Sequence, residues 1–235
     1  MTISLSRRLT AEFLGTAFLV AAVVGSGVRG DRLANGNVAL VLLANTMATG
    51  TALVAIILAF GPISGAHLNP AVTLADAIER GLSWENAFQY AVIQVLGGIT
   101  GAVAAHLMFG LPPISLSQHI RSGPAQFLSE FIATFGLVSV IWGCSRARSE
   151  SVPFAVGAYI TAAYWFTAST SFANPAVTIA RSLSDTFAGI RPADAPLFIL
   201  AQILGALAAT FLFRWLVPSL SSSAKDVLVR YQDDN

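Results

Sequence analysis

The stretch SGAHLNPAVTLADA occupies residues 64–77, and a close copy of it, STSFANPAVTIARS, occupies residues 169–182. Each copy interrupts the chain between long apolar runs. Proline cannot donate a backbone hydrogen bond but fits the first turn of a helix, and asparagine is among the best N-cap residues. Each Asn-Pro-Ala is therefore predicted to begin a helix, capped by Asn69 in the first copy and by Asn174 in the second.

The composition is that of a membrane protein. Hydrophobic residues make up 55% and charged residues 11% of the 235 positions, and the mean hydropathy is +0.70. The net charge of +1 leaves no basic patch for nucleic acid. The single cysteine, Cys144, excludes an internal disulfide and a cysteine-based metal site. No nucleophile is paired with a base and no glycine loop suits a phosphate, so we expect no enzyme activity, no cofactor and no metal.

Six apolar stretches are long enough to cross the hydrocarbon core, which takes about 20 helical residues. They are Leu9 to Val28, Val38 to Phe60, Trp84 to Phe109, Gln126 to Gly143, Val152 to Ala168 and Ala195 to Leu216. Six spans place both chain termini on the same side of the membrane.

The basic residues predict which side that is. The side of the termini carries eight of them: Arg7, Arg8, Arg80, Arg146, Arg148, Arg214, Lys225 and Arg230. The opposite side carries five: Arg29, Arg32, Arg121, Arg181 and Arg191. This bias predicts that both termini are cytoplasmic.

The two halves of the chain repeat each other. AEFLGT (11–16) matches SEFIAT (129–134), NPAVTLA (69–75) matches NPAVTIA (174–180), and IQVLGG (93–98) matches AQILGA (201–206). Each half contains three spans, so the second copy is inserted upside down relative to the first. We predict an all-α membrane protein with a 3+3 inverted repeat, in which residues 1–235 form one domain with repeats at about 8–110 and 125–217.

The two interruptions are predicted to be re-entrant half-helices that meet at the midplane. Pro70 to Glu79 and Pro175 to Ser184 are about 15 Å long as helices, half a membrane. Non-helical backbone at this depth must be buried in protein or line a watery cavity. Facing helix N-termini repel cations, and each Asn amide can donate to a passing solute. The pattern predicts a pathway for neutral polar molecules.

Two glutamates occupy equivalent positions early in the first and fourth spans. Glu12 and Glu130 are either proton-coupling groups of a secondary transporter or acceptors that brace the re-entrant loops. Their symmetry favours bracing. His67 either braces its loop, which we favour, or responds to pH at the cytoplasmic mouth.

These residues resemble the major intrinsic proteins, the family of aquaporins and aquaglyceroporins. The resemblance covers roughly residues 8–217 and rests on the two NPA motifs, the paired glutamates, QVLGG and QILGA. It implies the aquaporin fold, with six transmembrane helices and two half-helices, and a homotetramer with one pore per subunit. It also implies that the pore motifs are Asn69, Pro70, Ala71, Asn174, Pro175 and Ala176.

Members of this family carry a second constriction, an aromatic and arginine filter. Counted from the two NPA asparagines, its four positions are Thr49, Ala162, Ser171 and Val177. None is aromatic or charged, and Val177 stands where the family ordinarily has arginine. The resemblance therefore implies a wide, uncharged filter with a weakened barrier to ions.

With valine at this filter position, the sequence is similar to the aquaglyceroporins found in bacterial arsenic-resistance operons. The resemblance implies a passive channel of the bacterial inner membrane for arsenite and other metalloid acids and glycerol, with water and urea as further candidates. A water-selective aquaporin and a proton-coupled secondary transporter remain alternatives. Arg181, one helical turn beyond Val177, is either a displaced filter residue or an interfacial residue that bonds the end of its half-helix.

Overall fold

The computed structural model describes residues 3–147 and 149–217, and this part of the chain contains eight α-helices and no β-strand. The helices are α1 (Leu5–Leu33), α2 (Val38–Ser64), α3 (Pro70–Ile78), α4 (Trp84–Met108), α5 (Pro124–Ala147), α6 (Val152–Phe166), α7 (Pro175–Ser182) and α8 (Ala195–Leu216). A 3-10 turn at Ser149–Ser151 leads into α6. The predicted all-α membrane fold is confirmed.

Five helices, α1, α2, α4, α5 and α8, are long and apolar enough to cross a membrane. The sixth predicted span, Val152 to Ala168, is shorter than expected because α6 has 15 residues and ends at Phe166. Thr167 adopts an extended conformation, and its hydroxyl donates to the carbonyl of Ala163. The helix covers about 22 Å, and the preceding 3-10 turn lengthens it by about 6 Å.

The predicted half-helices are α3 and α7, which contain 9 and 8 residues. Both are one or two residues shorter than predicted. Glu79 and Leu183 act as their C-caps, and the residues that follow leave the helical conformation. Each half-helix occupies the equivalent place in its set of four helices, α1–α4 and α5–α8.

Glycines allow the long helices to pack backbone to backbone within each repeat. A Cβ on Gly97 or Gly101 of α4 would collide with the carbonyl oxygens of Phe13 or Ala17 on α1. A Cβ on Gly205 of α8 would likewise collide with the backbone of α5. This small-residue packing is typical of helices in membranes.

The structure describes only some of the basic residues that were used to predict the orientation of the chain in the membrane. Arg148, Lys225 and Arg230 lie outside the described residues, as does the side chain of Arg146. Arg214, near the end of α8, donates from Nε to Glu79 Oε1 at 2.9 Å. The end of α8 and the end of α3 therefore lie on the same face, and the cytoplasmic placement of the termini stays a prediction.

Candidate functional site

Each half-helix begins at the asparagine of its Asn-Pro-Ala motif. Asn69 Oδ1 accepts a hydrogen bond from the amide of Ala71 at 2.9 Å. Asn174 Oδ1 accepts one from the amide of Ala176 at 2.9 Å, with that of Val177 at 3.3 Å. The first N–H groups of a helix have no partner within the helix, so proline, which lacks an N–H, fits at the first position at no cost. The local sequence therefore suffices to start both helices.

The two asparagines also bind each other's loop. Asn69 Nδ2 donates to the carbonyl of Ala173, and Asn174 Nδ2 donates to the carbonyl of Leu68, both at 2.7 Å. The N-termini of α3 and α7 therefore meet. Because an amide nitrogen carries two hydrogens, each asparagine keeps a second donor for a solute.

The loops before the half-helices share an unusual backbone. Ala66 and Leu68 have φ values of 46° and 53°, and Ser171 and Ala173, 105 positions later, both have φ of 48°. Left-handed conformations cost a non-glycine residue about 1–2 kcal/mol each. Such strain persists only where the surrounding structure holds the loop firmly.

Two buried glutamates hold these loops. Glu12 and Glu130 are both 0% exposed, and their carboxylates accept hydrogen bonds from loop amides at 2.7–3.0 Å. The amides are those of His67 and Leu68 for Glu12, and those of Phe172 and Ala173 for Glu130. The structure thus places both carboxylates as acceptors for strained backbone.

A glutamine on α4 and one on α8 connect each glutamate to its half-helix. Gln94 Nε2 donates to Glu12 at 2.8 Å and to Thr73 at 3.0 Å, and Gln202 Nε2 donates to Glu130 at 2.6 Å and to Thr178 at 2.9 Å. The glutamine contacts correspond in the two repeats, and Glu12 accepts one further hydrogen bond, from the hydroxyl of Ser64 at 2.6 Å. Each long helix, loop and half-helix is therefore joined through buried polar groups.

His67 is buried and lines a cavity between the two half-helices. Its Nδ1 lies 3.1 Å from Thr73 Oγ1, and its ring packs 5.5 Å from that of Tyr90. Its Nε2 lies 3.8 Å from Asp76 Oδ2, and neither atom has a hydrogen-bond partner among the described residues. The imidazole thus tethers the loop to α3.

A cavity of about 70 Å³ passes both asparagines. At about 10–15 Å³ for each water centre, it has room for about five to seven waters. Asn69 and Asn174 share this wall with aliphatic side chains such as Leu53, Val72 and Ile160. We call the end near His67 the inner end and the end near Arg181, at the end of α7, the outer end.

The cavity includes three of the four residues that the family offsets predict for the filter: Thr49, Ser171 and Val177. The fourth prediction, Ala162, is wrong for this position. Ala162 is exposed on the opposite face of α6, whose cavity side is formed by Val152, Val156, Ile160 and Tyr164. A fixed offset fails here because α6 ends at Phe166 and the loop up to Asn174 sets the register.

Two further residues of the cavity wall, one aromatic and one charged, lie outside the four predicted filter positions. Tyr164 lines the cavity and donates from its hydroxyl to Thr49 Oγ1 at 3.3 Å. Arg181 also lines the cavity and is only 1% exposed, so it does not extend to an interface. The four-residue period of α6 is the signal in the sequence that identifies Tyr164.

The polar groups that line the cavity are suited to hydrogen bonding with a solute. Among the described residues, no three His, Cys, Asp or Glu side chains are grouped to hold a metal ion. The polar groups in the wall are amides, hydroxyls, an imidazole and a guanidinium. This set binds polar solutes by donating and accepting hydrogen bonds.

Comparison with known proteins identifies the family. The family model described as "Major intrinsic protein" matches residues 1–171 and 145–233. "Aquaglyceroporin AqpS" of Rhizobium meliloti (strain 1021) is 55% identical over 213 residues, which are 91% of each chain. "Probable aquaporin AqpM" of Archaeoglobus fulgidus is 32% identical over 92% of this chain and 99% of its own.

A solved structure has the same fold. The aquaglyceroporin from Plasmodium falciparum superposes with a TM-score of 0.72 over 93% of this chain and all of its own, at 20% sequence identity. Its fold agrees with the two sets of four helices and the paired half-helices described above. The chain belongs to the major intrinsic protein family.

Proposed function

We propose that the protein is a passive transmembrane channel for small uncharged solutes: glycerol, arsenous acid and other metalloid acids, and also water and urea. The observation that carries this proposal is the cavity that passes Asn69 and Asn174 between two facing half-helices. The relative from Rhizobium meliloti, named an aquaglyceroporin, supports glycerol as a solute.

The wall of the cavity suits polyols. Thr49, Ser171 and the two asparagines offer polar groups, and aliphatic side chains line the rest. A polyol directs its hydroxyls to the polar groups and its carbon side to the aliphatic ones. Arsenous acid is neutral near pH 7 and carries three hydroxyls, so it makes the same contacts. We propose Thr49, Tyr164, Ser171 and Val177 as the size filter, with Tyr164 in place of Ala162.

The carboxylates favour a channel over a proton-coupled transporter. Glu12 and Glu130 are fully buried, and their oxygens are engaged by loop amides and glutamines. A coupling group has to exchange protons with the pathway, whereas these groups brace its wall. We propose the same bracing role for His67. The relative named an aquaglyceroporin favours a general solute channel over a water-selective one.

We further propose that the protein is a homotetramer in a bacterial inner membrane with both termini cytoplasmic. Large apolar side chains such as Phe18, Phe88 and Trp215 are exposed on the described surface. Contiguous exposed apolar area is expected where a protein meets lipid or another subunit. The relative from a bacterium supports the location.

Swelling of reconstituted vesicles tests the proposed function. After an osmotic step, vesicles with the protein are expected to take up glycerol, urea and arsenous acid faster than empty ones, with and without an uncoupler, because passive flow needs no proton gradient. Swelling that the uncoupler abolishes would favour the coupled transporter. Response to water alone would favour the water-selective channel, and no response would contradict a channel.

Phenylalanine at Val177 is expected to block the pore, because the added ring enters the cavity. An added barrier of about 1.4 kcal/mol slows passage about tenfold, and steric overlap is expected to exceed that. Ala162→Phe is the matched control, since this side chain lies on the outward face of α6. Glycerol swelling is the measurement. Equal loss in both variants, at equal folded protein, would contradict the corrected filter.

A further inference from the structure

The outer end of the cavity contains a buried arginine with free hydrogen-bonding capacity. Arg181 lines the cavity beside Thr49, Tyr164 and Val177. It is 1% exposed, its Nε donates to the carbonyl of Ala188, and its Nη1 has no hydrogen-bond partner among the described residues. A buried unpaired donor on a charged group is costly, so this guanidinium is one that a passing solute can engage.

An aromatic ring holds the guanidinium in place. The Cζ atom of Arg181 lies 3.3 Å from the ring centroid of Phe172, which is the distance of a stacked cation–π contact. The ring is itself braced, because it packs edge-on against Phe198 at 5.2 Å. The backbone amide of Phe172 also donates a hydrogen bond to Glu130. Arg181 is therefore fixed at the wall.

A second arginine, Arg121, stacks on the same ring but has a different environment. Its Cζ atom lies 5.2 Å from the Phe172 centroid. Its Nε donates to Gly189 and its Nη1 to Ser169, both backbone carbonyls, at 2.8 and 3.1 Å. Arg121 does not line the cavity. It ties the outer loops together and adds positive charge behind the filter.

Within the described part of the chain this charge is only partly offset, because the buried Glu130 attracts both arginines without a direct contact. No carboxylate there forms an ion pair with Arg121 or Arg181. The acidic side chains on the outer side are otherwise occupied or exposed: Glu130 binds loop amides, Asp194 pairs with Arg191, and Asp185 and Asp31 are exposed.

The nearby loop reflects the same positive field. The pKa of His119 is lowered by partial burial, and then by the positive charges of Arg121 and Arg181, with Asp185 opposing. The position equivalent to Arg181 in the first repeat, 105 residues earlier, is Asp76, which is also 1% exposed. The repeat thus places a positive charge at the outer end and an acidic group behind the inner end.

We propose that Arg181 is a specificity-determining residue of the outer constriction, where its guanidinium excludes cations and donates hydrogen bonds to neutral solutes. The inference rests on the proposed channel function. A fixed positive charge in a low-dielectric passage raises the barrier for a cation and leaves that for a neutral molecule almost unchanged.

Cation leak in reconstituted vesicles tests this role. Arg181→Met keeps the stem length and removes the charge, and Arg181→Lys keeps the charge. We expect Arg181→Met to raise proton and potassium leak about tenfold or more and to lower the ratio of glycerol to water swelling, with glycerol swelling still above that of empty vesicles. We expect Arg181→Lys to stay near wild type. Arg29→Met is the matched control, because Arg29 also lies over a phenylalanine ring, at 5.3 Å from Phe109, but does not line the cavity.

The outcomes separate this inference from the channel function. Unchanged cation leak in Arg181→Met with normal glycerol swelling overturns the role of Arg181 and leaves the channel intact. Absence of swelling in wild-type vesicles overturns the channel itself. The wild-type protein gives an independent measurement: any residual ion conductance is expected to favour chloride over potassium, and a preference for potassium overturns the inference even if Arg181→Met does not fold.

Discussion

Glu130→Leu is expected to abolish the folded channel. The substitution leaves three buried donors without their acceptor, namely the amides of Phe172 and Ala173 and the Nε2 of Gln202. Each unsatisfied buried donor costs about 1–3 kcal/mol. The sum approaches the entire stability of an ordinary domain, about 5–15 kcal/mol. The strained backbone at Ser171 and Ala173 then loses its carboxylate acceptor and keeps only weaker neutral contacts, such as the hydrogen bond from Asn69 to the carbonyl of Ala173.

The measurement is the yield of monodisperse protein in detergent and its melting temperature. Glu130→Gln keeps one carbonyl acceptor and is expected to lie between Glu130→Leu and wild type. Glu85→Leu is the control, since Glu85 is exposed in the first turn of α4. If Glu130→Leu melted at the wild-type temperature, the bracing role of the glutamates would have to be given up.

Gly101→Leu is the second substitution expected to have a large effect. A Cβ at Gly101 collides with the backbone carbonyl of Ala17, so α1 and α4 have to separate. Overpacking costs about 1–3 kcal/mol and more when backbone must move. Since α4 also packs against α7, the displacement is expected to reach the half-helix and lower glycerol flux as well as stability.

A second glycine provides the comparison. A Cβ at Gly61 of α2 meets no atom of another helix within 4 Å. Gly61→Ala is expected to leave the melting temperature nearly unchanged, because the helix preference of alanine over glycine, about 1 kcal/mol, is offset by the contact of the new Cβ with the ring of Pro62. Melting temperature and glycerol swelling, measured on both variants, check the pair. Equal behaviour of Gly101→Leu and Gly61→Ala would contradict the close contact of α1 with α4.

Much of the site was predictable because it depends on local rules. Asparagine followed by proline specifies a helix start, so the caps Asn69 and Asn174 follow from the sequence alone. The repeat of AEFLGT and SEFIAT pairs Glu12 with Glu130 before any contact is known. Family offsets then found Thr49, Ser171 and Val177, which do line the cavity.

The sequence by itself determined the membrane class, the inverted repeat and the two helix breaks, because hydropathy, periodicity and capping act between near neighbours in the chain. Only the tertiary structure decided that Ala162 faces outward, that Tyr164 bonds to Thr49, and that Arg181 stacks on Phe172 at the cavity. These features depend on where α6 ends and how the loop to Asn174 folds back. Contacts between distant segments set that geometry, and no spacing rule along the chain contains it.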